Sequence, residues 1–227
     1  MSDAVVSDLW RFPVKSFGGE RLRRAFVGPF GLLGDRRHAV IGADGPLTAR
    51  RAHRLLEFAA RYVDRDAAHG VLVTTPSGAE VPLADPGLAA VLAERVAPTA
   101  AIGSQVVGFF DAAPVHLLGE ASLSALGDAV GAPLDRRRFR ANILVDAGPE
   151  PNAEDRWIGR RLTVGEAVLE VVVNTERCAV TTFDPDTLER DSAVLSALAR
   201  ERENLFGVYA RVARPGWVAV GAAVRSI

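Results

Sequence analysis

Apolar residues in this chain fall mainly into short runs, alternating or β-branched, punctuated by Gly, Pro and Asp. The pattern predicts strands over 4–13, 21–27, 37–42, 71–75 and 79–83 in the first half, and over 104–109, 141–146, 161–164, 167–174, 205–212 and 217–224 in the second. Helical spacing is rarer. It predicts helices over 50–61, through Leu55, Leu56 and Phe58, over 86–95, through Leu88, Val91 and Leu92, over 120–130, through Leu123, Leu126 and Val130, and over 191–203, through Val194, Leu195 and Leu198. Asp191-Ser192 is suited to cap the last of these. Many short strands with scattered helices point to a β-rich α+β protein, barrel-like with helical decoration. The loop from Ala97 to Gly103 is a candidate boundary, and 146–156 is a polar loop.

Composition narrows the function. With 48% hydrophobic residues the chain can bury a sizeable core, and a net charge of −1 gives no global footprint for nucleic acid. One cysteine excludes an internal disulfide, and also an iron–sulfur cluster held in the usual way by about four thiolates. No apolar run approaches the roughly 20 residues of a membrane span, and the N-terminus lacks the basic start and apolar core of a signal peptide. The expectation is a cytoplasmic protein without membrane or nucleic-acid partners. Arginine-rich, lysine-poor usage suggests a GC-rich bacterial genome.

The lone cysteine, Cys178, follows the apolar run 168–173 and stands next to Arg177, where a strand gives way to a loop. A neighbouring guanidinium favours the reactive thiolate. The alternative is a small buried hydrophobe, a common fate of free cysteine. The lone lysine, Lys15, ends the stiff Phe12-Pro13-Val14 and precedes Ser16, Phe17 and two glycines. A point charge, a hydroxyl and flexible backbone N–H groups suit a phosphate; a snorkelling surface lysine is the competing reading. In Gly34-Asp35-Arg36-Arg37-His38, Asp35 can orient Arg36 and leave part of its guanidinium for an anion, or the segment is a solvated hairpin. Four arginines stand within 136–140. If 138–146 is one strand, Arg138, Arg140 and Asn142 share a face. Arg136 and Arg137 fit a solvated surface, whereas Arg140 and Asn142, where the segment turns apolar, fit a pocket. The four histidines show no spacing for a metal or a triad; His116 lies in an apolar strand-like run and reads as a core residue, and Trp157 as packing.

In order along the chain, Phe-Pro-Val-Lys-Ser (12–16), Gly-Leu-Leu-Gly-Asp-Arg-Arg (31–37), Thr-Ala-Arg (48–50), Phe-Asp-Ala-Ala-Pro-Val-His-Leu-Leu (110–118), Arg-Phe-Arg-Ala-Asn-Ile (138–143), Ala-Glu-Asp-Arg-Trp-Ile-Gly (153–159) and Arg-Cys-Ala-Val-Thr-Thr-Phe-Asp-Pro-Asp-Thr (177–187) resemble the MOSC family, the molybdenum cofactor sulfurase C-terminal type domain, and within it the amidoxime-reducing enzymes. The ordered set argues against the buried-cysteine reading. The resemblance implies an N-terminal MOSC-type β-barrel domain, 1–98, followed by a MOSC β-barrel domain with peripheral helices, 99–227. It implies a molybdenum cofactor whose metal is held by the cofactor's dithiolene and by Cys178. Lys15, Ser16 and Arg36 then map onto positions for phosphate and pterin, Arg140, Asn142, Glu176 and Arg177 onto the lining of metal and pterin, and Asp111 and Tyr209 near the active site. At the family level the resemblance also carries a pyridoxal phosphate association. Departures from the family pattern are Glu176 in place of a small hydroxyl residue, Arg37-His38 in place of an aromatic pair, and Leu188 in place of a glycine.

The activity this implies is reduction of a small N-hydroxylated (N–O) substrate by reduced molybdenum, with Asp111 or a bound water delivering protons. The chain has no flavin or nicotinamide fingerprint, so electrons are expected from a separate donor protein carrying flavin, haem or an iron–sulfur cluster. Two alternatives stand beside it: a sulfur carrier with a Cys178 persulfide, and a non-catalytic carrier of the cofactor.

Overall fold

The computed structural model describes residues 4–64, 67 and 69–227. The strands in chain order are β1 (Ala4–Arg11), β2 (Glu20–Leu22), β3 (Arg24–Gly28), β4 (Gly31–Leu32), β5 (His38–Gly42), β6 (Gly45–Pro46), β7 (Ala59–Tyr62), β8 (Val71–Thr74), β9 (Glu80–Pro82), β10 (Ala101–Ser104), β11 (Val115–Gly119), β12 (Ile143–Asp146), β13 (Arg161–Val164), β14 (Ala167–Glu176), β15 (Leu205–Arg214), β16 (Gly216–Ala219) and β17 (Ala223–Ser226). Among the described residues the α-helices are α1 (Pro86–Arg95), α2 (Glu120–Val130) and α3 (Ala193–Arg202). They form two compact units, one of Met1–Trp10, Arg21–Leu33 and Asp111–Ile227, the other of Arg11–Glu20 and Gly34–Phe110.

The larger unit is built on a closed barrel. Its sheet runs β12-β11-β15-β14-β13-β17-β1, and β1 pairs back onto β12, so seven strands leave no free edge between them. Pairings are antiparallel except β11 with β12, whose parallel register needs a crossover; α2 supplies it. Val6, Leu117, Ile143, Val171 and Val208 fill the interior, each 1% exposed or less. A second apolar layer joins α2 and α3 to the outside of β12 and β15 through Leu123, Leu126, Leu198, Phe139 and Phe206. The smaller unit holds two three-stranded sheets, β10-β5-β6 and β7-β8-β9. Its core gathers Val14, Phe17, Phe58, Val73 and Leu92, with Phe17 and Phe58 stacked at 5.0 Å. Pro86 opens α1, where its fixed φ is harmless, and Asp85 Oδ1 accepts from Gly87 N at 2.7 Å.

The helices expected at 86–95 and 120–130 form with those bounds, and the third runs 193–202. The helix expected over 50–61 does not form. Residues 53–57 make a 3₁₀ turn and 59–62 the strand β7, because Phe58, Ala60 and Tyr62 are buried while Arg61 is exposed. A period of two was hidden inside an apolar cluster. The strand expected at 104–109 lies at 101–104 instead; Gly108, at φ 91°, turns the chain there and Gln105 closes the turn by donating to Gly108 O at 2.8 Å. The 21–27 and 217–224 runs each split in two, the second at Gly221 with φ 86°. Residues 138–146 are not one strand. A 3₁₀ turn covers 136–139 and Arg140 takes a left-handed φ of 54°, so the shared strand face of Arg138, Arg140 and Asn142 does not exist.

Candidate functional site

In the smaller unit the sequence signals at 12–16 and 34–38 come together. Val14 bridges His38 in parallel, Lys15 N donates to His38 O at 2.7 Å, and Arg36 N donates to Phe12 O at 2.7 Å. Asp35 is buried. Its Oδ1 accepts from Phe12 N at 2.7 Å and its Oδ2 from Arg36 Nη1, so one carboxylate fixes both the strand end and the guanidinium. The Arg36 guanidinium also lies 5.0 Å from the Phe12 ring centroid and its side chain is largely buried, which rules out a solvated hairpin. Lys15 Nζ donates to Phe109 O at 2.9 Å, and Phe109 N donates to Arg36 O at 2.7 Å, so the lysine side chain and the arginine backbone both bond Phe109. Ser16 and Arg36 both sit in the left-handed region, at φ 70° and 48°, a strained choice for residues other than glycine that often marks a working site. Ser16 Oγ accepts from Ala49 N at 3.0 Å, and its own O–H remains a donor. His38 Nδ1 lies 2.6 Å from Ser104 Oγ, and burial, with Arg37 beside it, pushes the imidazole below its ordinary range.

In the larger unit β14 delivers the cysteine. Its ladder with β15 is irregular in three places, the last between Asn174 and Glu176, immediately before Arg177-Cys178. Bulges re-aim the chain, and no pattern of residue types announces them. Glu176 is exposed; Arg177 and Cys178 are half-buried. Arg177 is held from both ends, its N–H donating to Asn204 O at 2.7 Å and its Nη2 to Phe139 O at 2.8 Å. Cys178 has an extended backbone and leads into a 3₁₀ turn over 179–182, its carbonyl accepting from Thr181 N and Oγ1. Among the described residues no group of three or more His, Cys, Asp or Glu could hold a metal ion, so the thiol has no protein co-ligands of that kind.

Asn142 is fully buried and knits three strands together. It donates to His116 O and accepts from Trp10 N through its backbone, while its side chain accepts from His116 N at 3.1 Å and donates to Trp10 O at 3.2 Å. Arg140 is half-buried beside it. Tyr209 pairs with His116 across β11 and β15, their rings 5.4 Å apart, and Asp111 is exposed. Sequence reasoning missed the residues that lock the cysteine loop. Arg137 makes a paired contact with Asp186, at 2.8 and 2.6 Å, and also bonds Asp135; Arg138 Nη2 reaches Asp184 at 2.9 Å. The Arg137 guanidinium lowers the Asp186 carboxyl below the usual range. Backbone N–H groups of Thr187 and Asp186, then Arg138, lower Asp184. Arg137 is therefore not on the solvated face expected of it. The available signal was Asp184-Pro185-Asp186, a turn former with two spare charges opposite a run of arginines.

Comparisons with known proteins place the whole chain. The MOSC N-terminal beta barrel domain matches residues 3–100 and the MOSC domain matches residues 104–225. The mitochondrial amidoxime reducing component 2 of Rattus norvegicus is 33% identical over 130 residues, 51% of this chain and 37% of that protein. The molybdenum cofactor sulfurase of Caenorhabditis briggsae is 27% identical over 254 residues, covering 97% of this chain and 36% of that protein. The chain thus spans about a third of the length of these curated relatives. Among solved structures the YUAD protein from Bacillus subtilis superposes with a TM-score of 0.54 at 16% identity, over 97% of this chain and 93% of that one, a likeness of fold. Among the described residues no helix is long and apolar enough to cross a membrane.

Proposed function

Because the chain belongs to the MOSC domain family, we propose that it binds the molybdenum cofactor and reduces small N-hydroxylated compounds with electrons from a separate donor protein in the bacterial cytoplasm. The observation that carries this is the thiol. Cys178 is half-buried at the end of a bulged strand, with Arg177 fixed beside it and, among the described residues, no cluster of side-chain ligands to complete a coordination sphere. Such a donor set fits a metal that arrives with its own soft ligands and takes one thiolate from the protein.

The residues present divide by chemistry. Cys178 would hold the metal. Lys15, Ser16 and Arg36 offer a point charge, a hydroxyl donor and an oriented guanidinium, a set suited to the cofactor's phosphate. Arg140, Arg177 and Asn142 are proposed for the pterin and the metal's surroundings. Of these Asn142 acts through the backbone it holds, since its side chain is already committed to Trp10 and His116. Tyr209 is proposed to flank the cofactor. Bound molybdenum would supply the two-electron chemistry that removes oxygen from an N–O bond. The exposed carboxyl of Asp111 is the proposed proton donor to the departing oxygen, and Glu176, also exposed, adds negative charge that favours neutral or cationic substrates.

The test is metal content and turnover after expression in a host that makes the cofactor. The expected result is about one molybdenum per chain, lost in Cys178→Ala, with amidoxime reduction driven by a viologen donor. Molybdenum that stays bound in Cys178→Ala, or no turnover with any donor, overturns the reading. A second reading has one observation behind it, the match of 97% of the chain to a protein named molybdenum cofactor sulfurase. Sulfane sulfur on Cys178 in metal-free protein would favour that role.

A further inference from the structure

Two ion pairs tie the segment after the cysteine to a single 3₁₀ turn. Arg137, in the 136–139 turn, grips Asp186 with both Nη1 and Nη2, at 2.8 and 2.6 Å, while its other contacts go to Asp135. The next residue, Arg138, reaches Asp184 at 2.9 Å. Its side chain is 10% exposed, and its Nε and Nη1 are buried with no hydrogen-bond partner. Asp184 thus carries the compensation for a nearly buried cation, a contact costly to break. Asp184 is itself prefixed, since its Oδ1 accepts from the N–H groups of Asp186 and Thr187, both at 3.0 Å. The base of the loop is closed by the Phe183–Arg190 bridge and by Asp191 N donating to Thr182 O at 2.8 Å. On the near side of the cysteine, Arg177 Nη2 bonds Phe139 O, in the same turn.

Cys178 therefore stands on a span anchored before and after itself to residues 137–139, and the next residue of that turn is Arg140. We infer that the Arg137–Asp186 and Arg138–Asp184 pairs form a clamp that positions the Cys178 thiol relative to the Arg140 turn. Arg137, Arg138, Asp184 and Asp186 are positioning residues. The inference rests on the reading that Cys178 is the working group of the site, but it concerns the protein alone and is measurable without the cofactor.

The experiment is alkylation of Cys178 by iodoacetamide in native protein, at one fixed alkaline pH for every variant, with the rate in urea as the intrinsic reference. Asp186→Asn removes one pair at a position 70% exposed, where folding is not at risk. Asp184→Asn removes the other charge yet keeps an oxygen that caps the Asp186-Thr187 turn. The expected result is a native-state rate raised by roughly fivefold or more in the double variant, from more frequent local opening. Smaller rises are expected in each single variant, and a rate within about twofold of wild type in the conservative Asp184→Glu. Rates equal to wild type in the double variant, or a fall in melting temperature with unchanged alkylation, overturn the clamp and leave the pairs with a purely structural role. A thiol unreactive in every variant overturns it as well. A chain that takes up no molybdenum yet shows the alkylation pattern supports the clamp while retiring the cofactor reading; one that takes up molybdenum with no such pattern does the reverse.

Discussion

Asn142 shows how one buried amide can hold separate segments of backbone together. Buried just before β12, its side-chain amide bonds to β11 on one side, through His116 N, and to β1 on the other, through Trp10 O. Its truncation removes both of these buried hydrogen bonds, each worth roughly 1 kcal/mol or more. Asn142→Ala should therefore lower unfolding free energy by about 2–3 kcal/mol, discounting the longer bond to Trp10. Urea denaturation checks it, and a loss under about 0.5 kcal/mol would deny the amide this role. The sequence marked Asn142 as polar among apolar neighbours and favoured a pocket for it, but could not show its bonds to Trp10 and His116. Those two partners lie 132 and 26 residues away. For Arg36 the local text was more telling, because its partner Asp35 is a chain neighbour.

At the scale of elements, α2 is held by a device no local pattern shows. Its N-cap, Gly119, has no side chain, and the carboxylate of Glu154 stands in. Glu154 Oε1 accepts from Gly119 N at 3.1 Å and Oε2 from Ser122 Oγ at 2.7 Å, placing an acceptor at the positive end of the helix. The other end stops at Gly131, whose left-handed φ of 83° meets nothing within 4 Å where a Cβ would sit. Two substitutions should then behave differently. Glu154→Ala strips acceptors from buried donors and should cost about 2–3 kcal/mol; Gly131→Ala meets backbone strain alone and should cost about 1 kcal/mol. Equal losses in thermal or urea unfolding would contradict that division. Elements with one clear periodicity, α1 and α2, were legible with their bounds. Those that failed, 50–61 and 138–146, are places where a short apolar cluster or an arginine run fits more than one backbone and tertiary contacts chose.

Across the whole molecule, acid stability reports on buried bases as well as on carboxylates. His38 has its imidazole held below the ordinary value of 6.5 by burial and by Arg37. The folded state therefore favours the neutral ring, and as pH falls below 6.5 the unfolded chain takes the proton first. The stability this provides is present above that value and is lost as pH drops from it toward the folded pKa. The wild-type urea midpoint should fall more between pH 7.5 and 5.5 than that of His38→Gln, about these two pH values on either side of the ring's ordinary range. Identical slopes would remove His38 from the account. The Asp184 and Asp186 carboxyls act in the same sense at lower pH, below the ordinary 3.8, so the loop they hold should stay closed through mildly acidic conditions.

What the sequence determined by itself was the β-rich class, the two helices of plain periodicity, and the family, through ordered motifs whose residue types carry their chemistry wherever they are placed. The tertiary structure decided the rest. It closed seven strands by pairing β1 with β12, put a bulge ahead of Cys178, turned Arg140 into the left-handed region, and set Asp184 and Asp186 against Arg138 and Arg137. The physical reason is range: periodicity and chain-neighbour chemistry act over a few residues, whereas barrel closure, bulges and ion-pair clamps arise between segments that meet only once the core has formed.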